Sequence, residues 1–193
     1  MKRLLLSLAL LLVAAGLSGC GYNTIQQYDE AVIAAWGDVE AAYQRRADLI
    51  PNLVEVVKGY AAHEKETLTA VTEARAQVGK VQIGKDVINN PQAMASFQEA
   101  QGGLSSALSR LMVVVERYPD LKANQNFMML QEELSGTESK IAYARQFYND
   151  TVLKYDNMRE KFPSNIVAAM FNFAAREYFE VGEAEREPVK VKF

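Results

Sequence analysis

The chain has 193 residues, of which 24 are acidic and 21 are lysine or arginine, so its formal net charge is −3. Because the basic residues are scattered, no basic nucleic-acid-binding surface is expected. The length suits one domain, and no low-complexity linker or internal repeat divides it. Cys20 is the only cysteine, which excludes a disulfide within the chain.

Residues 1–19 have the layout of a secretory signal, with two basic residues near the start and an apolar run over residues 4–13. That run is short for a membrane span, which needs about 20 apolar residues. The tetrapeptide at residues 17–20 (LSGC) resembles a bacterial lipobox. The resemblance implies that Cys20 is lipidated, for example by palmitate, and begins the mature chain. An uncleaved N-terminal membrane anchor is the alternative.

Lipid on Cys20 would hold the protein on a bilayer, since each buried methylene contributes about 0.8 kcal/mol. Gly21 follows Cys20, and the absence of aspartate at this position favours the outer membrane, by resemblance to the lipoprotein sorting rule. The predicted location is therefore the cell envelope, facing the periplasm or the exterior. An uncleaved anchor would place the protein at the inner membrane instead.

Apolar or small residues recur every three or four positions from Thr24 to about Val78, which predicts one long amphipathic helix with a coiled-coil seam. Pro51 predicts a kink in this helix rather than a reversal, because no Gly or Asn cluster accompanies it. The first reversal is expected at residues 79–91. A partial P-loop match in that segment lacks its strand, and Asp86 replaces the serine or threonine that would hold magnesium.

Apolar stripes predict a second helix over about residues 91–118 and a third over about 121–161, each ending near a proline. A shorter, aromatic-rich fourth helix is expected from Ser164 to about Val181. We consider two roles for it, a lid packed on the end of the bundle or a surface that docks a membrane or a partner.

Motifs for bundle and hydrolase chemistry are incomplete. A single histidine, His63, cannot supply two Glu-x-x-His pairs for a dinuclear metal site, nor both histidines of a His-Glu-x-x-His zinc site. No Gly-x-Ser-x-Gly elbow occurs. We therefore predict no catalytic residue, no cofactor and no metal. The alternative is an all-carboxylate site for magnesium, manganese or calcium, formed by Glu64 with Glu132, Glu133 or Glu138.

Charged residues lie within the apolar seam of the first helix and on the third helix. We expect some of them to form inter-helix ion pairs that fix the register of the bundle, which is the best-attested role of buried polar groups. A binding surface is the alternative. The candidate cluster consists of Arg45, Arg46, Asp48, His63, Glu64, Arg75, Glu132, Glu138 and Arg145.

Several segments resemble the signature of the LemA family. They are residues 45–54 (RRADLIPNLV), 57–64 (VKGYAAHE) and 116–123 (ERYPDLKA), together with Tyr148-Asn149 and Phe162-Pro163. The match covers nearly the whole mature chain. It departs from the family pattern at Asp156, where asparagine is more common.

The resemblance implies an all-α fold, an antiparallel bundle of three long helices plus a shorter C-terminal helix, attached to the envelope by its N-terminus. The bundle is expected over residues 20–185, with a flexible tail at 186–193. The family implies no reaction, so we predict an interaction or scaffold module with an envelope protein as partner. A carboxylate-based metal-binding or hydrolytic protein is one alternative. A membrane-shaping bundle is the other, suggested by similar proteins of magnetosome-forming bacteria.

Overall fold

The computed structural model describes residues 2–81, 84 and 86–180, with side chains from residue 21 onward. Four helices form the body of an all-α bundle: α1 (Lys2–Tyr60), α2 (Lys65–Lys80), α3 (Pro91–Val115) and α5 (Gln125–Glu160). Two short helices complete it, α4 (Pro119–Lys122) and α6 (Ser164–Met170). The predicted fold class is confirmed. Cys20, the signal side chains and the predicted tail lie outside the side chains described.

The chain reverses between α1 and α2, at residues 61–64, so the prediction of one helix to about Val78 is wrong. Arg75 Nε of α2 donates to the carbonyl oxygen of Ala47 at 2.9 Å, which shows that α2 folds back along α1. If α1 continued straight after Tyr60, it would extend beyond the start of α5, because Asn124 at that start donates a hydrogen bond to the Tyr60 hydroxyl. The reversal instead buries the apolar face of α2, which consists of Leu68, Val71 and Val78. Burying a large apolar side chain stabilises the fold by about 1.5–3 kcal/mol.

Pro51 lies inside α1, and the helix continues on both sides of it. The reversal after α2 falls where it was predicted, and Asn90 then caps α3 by accepting hydrogen bonds from the backbone N–H groups of Gln92 and Ala93. Asn124 caps α5 in the same way, through the N–H of Phe127. These caps satisfy N–H groups that have no partner within a first helical turn, so the predicted second and third helices form with slightly shifted ends.

Residues 171–180, here called the C-terminal segment, are not helical, so the predicted fourth helix ends at Met170 instead of about Val181. Side chains of α5 bind its backbone. The Tyr148 hydroxyl donates to the Glu177 carbonyl at 2.7 Å, and Asn149 pairs with both the N–H and the carbonyl of Phe179. Because these bonds satisfy main-chain groups that a helix would pair internally, the segment is stable in an extended form.

The C-terminal segment covers the half of the bundle that α2 does not reach. Phe179 is buried, with its ring stacked on Trp36 at a centroid distance of 5.8 Å. Arg176 forms an ion pair with Asp29 of α1. Phe179 therefore packs on the bundle, as expected if the aromatic C-terminal region is a lid, whereas Phe171 is exposed.

Candidate functional site

A groove of 890 Å³ lies between α3 and α5, and side chains of α1 also line it. We call it the α3–α5 groove. Its polar lining comes from three helices and the C-terminal segment, and it includes Tyr43, Arg46, Gln92, Gln98, Gln101, Ser105, Glu138, Arg145, Glu177 and Glu180. No other part of the described chain brings so many of the predicted cluster residues together, since Arg46, Glu138 and Arg145 all line it.

Arg46 joins the three helices around this groove. Its side chain is only 2% exposed, yet Nη1 donates to Glu138 Oε1 at 3.0 Å and to Ser105 Oγ at 2.9 Å. Nη2 donates to both the backbone carbonyl and the side-chain Oε1 of Gln101. The pairing of the first helix with the third, predicted for this cluster, is therefore present as Arg46 with Glu138.

Two buried donors in the groove lining have no acceptor among the described atoms of the protein. They are Arg46 Nε and Gln101 Nε2. More than about 90% of buried polar groups in proteins are hydrogen-bonded, and a buried donor without an acceptor costs about 1–3 kcal/mol. Because both donors are buried, a carbonyl or carboxylate oxygen in the groove would reach them only after a movement of these side chains.

The charges around the groove are mixed. The guanidinium of Arg145 lies over the Phe179 ring at 5.0 Å and donates to the Glu180 carbonyl. Burial raises the pKa of Tyr43 further above neutral pH, although the nearby cations Arg145 and Arg46 oppose the shift, and its hydroxyl is a neutral group in the groove. Neutral donors and charges of both signs suit a polypeptide segment better than a phosphate.

A second polar contact joins the α1–α2 turn to residues 117–118, which connect α3 to α4. Glu64 accepts hydrogen bonds at 3.0 Å from both the Tyr118 hydroxyl and Arg117 Nη2. The hydrogen bond to Glu64 raises the pKa of Tyr118. Glu64 therefore pairs with the connection between α3 and α4, and not with the third predicted helix.

The remaining residues of the predicted cluster lie elsewhere. Arg45 pairs at the surface with Glu133, while the neighbouring Glu132 is exposed. Asp48 accepts a hydrogen bond from Gln44 within α1, and His63 is exposed in the turn. The charged residues thus form separate inter-helix contacts instead of one cluster.

The carboxylates considered for a metal site are dispersed as well. Glu64, Glu133 and Glu138 each pair with a different arginine. Over the described ranges, no three His, Cys, Asp or Glu side chains converge as metal ligands would. Within the same described residues, no helix has the length and hydrophobicity of a membrane span.

Sequence reasoning did not identify Gln101, Ser105 or Tyr43. A signal for Gln101 was available, because it lies four residues after Phe97 and three before Leu104, within the apolar stripe of α3. A polar residue at a position whose neighbours in the stripe are buried has to find partners in the core. Ser105 and Tyr43 carry no comparable signal in the sequence.

The sequence of the helices that form the groove is similar to known proteins. The profile of the LemA family matches residues 35–193. Magnetosome protein MamQ 2 of Paramagnetospirillum magneticum is 28% identical over 185 residues, covering 87% of this chain and 68% of that protein. MamQ of Magnetospirillum gryphiswaldense is 26% identical, with coverages of 87% and 68%. Protein LemA of Metamycoplasma hominis is 26% identical over 151 residues, covering 78% and 65%.

Proposed function

The chain belongs to the LemA family, and on this basis we propose that it is a membrane-anchored interaction module of the cell envelope whose α3–α5 groove binds a segment of a partner protein. The observation that carries the proposal is the pair of buried donors, Arg46 Nε and Gln101 Nε2, in the lining of the groove. Both atoms are buried beneath the groove surface, so acceptors from a bound segment would satisfy them only after these side chains shift.

The dimensions of the groove favour an extended segment. Its lining on α3 runs from Pro91 to Ser105, roughly 20 Å at about 1.5 Å per residue. An extended chain rises about 3.3 Å per residue, so about six residues span that length. The C-terminal segment gives an example of this mode within the same molecule, because Tyr148, Asn149 and Tyr155 bind its backbone through side-chain hydrogen bonds.

The anchor supplies the second part of the proposal. Lipid on Cys20 would confine the groove to the bilayer surface, where it meets envelope partners at a high local concentration. The outer membrane is the favoured location because Gly21 follows Cys20. An uncleaved N-terminal helix would have the same effect at the inner membrane.

Photo-crosslinking in cells tests this function. A photoreactive amino acid at Ala95 lies in the groove, whereas one at Ser96 is also exposed but lies outside the groove lining. We expect Ala95 to capture one envelope protein reproducibly and Ser96 to capture about tenfold less. The Cys20→Ser variant should lose most of the capture. Equal capture at both positions, or none at either, would contradict the proposal.

A further inference from the structure

An apolar patch lies at the end of the bundle nearest residue 21, around α6. Its members are exposed although they are large and hydrophobic, with Phe162 exposed by 80% and Met170 by 75%. Ile166 and Met170 are four residues apart and so share one face of α6. We call it the end patch and define it as Phe162, Ile166, Met170 and Phe171.

The end patch lies beside the first residues after the predicted anchor. The ring of Phe171 packs edge-to-face on Tyr22 with a centroid distance of 4.7 Å. At Gly21, an added Cβ would meet Val167 of α6 at 3.5 Å. The patch is thus fixed to the part of α1 that directly follows Cys20.

Both routes of membrane attachment bring this end of the bundle to the bilayer. If Cys20 is lipidated, residue 21 lies one residue from the acyl chains. If the N-terminus is retained, α1 continues without a break from Lys2 and residue 21 follows the apolar run along the same helix. In either case the end patch would lie at the end of the bundle nearest the membrane. Its exposed neighbour Lys161 can extend its ammonium group toward lipid headgroups.

We propose that the end patch inserts into the interfacial region of the bilayer beside the N-terminal anchor. Exposed contiguous apolar surface marks a binding site, and the occupant argued here is lipid, because the predicted membrane attachment is adjacent to the patch. Two attachment points restrict the tilt of the bundle. The groove would then be held at a fixed distance from the bilayer, because Tyr43 in its lining lies roughly 30 Å along α1 from Gly21. This inference rests on the membrane attachment in the proposed function.

Tryptophan fluorescence of the anchored protein in vesicles of phosphatidylethanolamine and phosphatidylglycerol tests the insertion. Phe162→Trp and Met170→Trp place the probe in the end patch. Val113→Trp is the matched control, because Val113 is 70% exposed on α3 near the opposite end of the bundle. The native Trp36 is buried and contributes the same background to all three variants.

Brominated acyl chains should quench the end-patch variants at least twofold more than Val113→Trp, with a blue shift of their emission. Quenching no greater than that of Val113→Trp, in protein that floats with the vesicles, would refute insertion and leave the anchor intact. A blue shift without bromine quenching would show that protein, and not lipid, covers the patch, and would also refute it. Protein that does not float would refute the anchor and the insertion together.

Discussion

Arg46 and Gln101 are expected to contribute to stability as one unit. Arg46→Met keeps most of the aliphatic stem but removes the guanidinium that donates to Gln101 Oε1. Gln101 is buried, so its side-chain amide is then left without any partner, which costs about 1–3 kcal/mol of folding free energy. Glu138 loses less because its side chain is 43% exposed and water replaces the arginine. We expect Arg46→Met to lower the free energy of unfolding by about 2 kcal/mol.

Removing both polar partners should restore most of that loss. In the double variant Arg46→Met/Gln101→Leu, no buried donor or acceptor of this pair remains, and replacing a buried polar pair by apolar groups is often neutral or stabilising. The double variant should therefore lie within about 1 kcal/mol of the native protein. Arg45→Met is the control, since Arg45 pairs with Glu133 at the surface, where ion pairs contribute about 0–1 kcal/mol.

Urea and thermal unfolding measure these differences. For a chain of this length, 1 kcal/mol shifts Tm by about 2–4 °C, so Arg46→Met should lower Tm by about 4–8 °C. A double-mutant cycle then gives the coupling between the two residues directly. If the loss in the double variant equalled the sum of the two single losses, Arg46 and Gln101 would be independent, and the reasoning would be refuted.

Three further predictions concern the contacts that hold the bundle together. Glu64→Ala should lower Tm by a few degrees because it removes the link between the α1–α2 turn and residues 117–118. Glu55→Ala removes an exposed ion pair and should leave Tm unchanged. Equal Tm values for the two variants would contradict this role of Glu64. Asn149→Ala should speed hydrogen exchange at the Phe179 amide about 30-fold, because two hydrogen bonds of about 1 kcal/mol each are lost. Asp150→Ala is the control. An unchanged exchange rate in Asn149→Ala would show that Asn149 does not hold the C-terminal segment. Burial raises the pKa of Tyr155 to about 12. Between pH 10 and 12 the unfolded chain therefore releases a proton that the folded chain keeps, and the free energy of unfolding falls. The stability advantage of the native protein over Tyr155→Phe should narrow as the pH rises from 9 to 11, and a constant difference would refute the pKa shift.

The parts of the fold that could be predicted are those determined by local pattern. The apolar stripes and the proline at each end locate α3 and α5, and the asparagines Asn90 and Asn124 cap them. The reversal at residues 61–64 has no such signal, since it contains neither glycine nor proline. It forms because α2 can bury its apolar face only by folding back onto α1 and α3.

The C-terminal segment shows the same limit. Its aromatic residues predicted a helix, but its backbone is bound by Tyr148, Asn149 and Tyr155, which precede it by about 20–30 residues in α5. At the groove, Arg46 and Glu138 both belong to the predicted cluster, in which some charges of the first helix were expected to pair with the third helix, but the particular pair was not predicted. Gln101 and Ser105 could not be placed beside them without knowing how far α3 lies from α5.

The most direct test of the central claim fills the groove and measures partner capture. Gln98→Trp places a large ring in the α3–α5 groove, and Glu99→Trp places the same ring on the adjacent, exposed residue outside it. Both variants are expressed with the native anchor, and the envelope protein crosslinked to each is quantified by mass spectrometry. The account predicts that Gln98→Trp loses the partner at least tenfold while Glu99→Trp retains it. Undiminished capture by Gln98→Trp would contradict the assignment of the groove as the binding site.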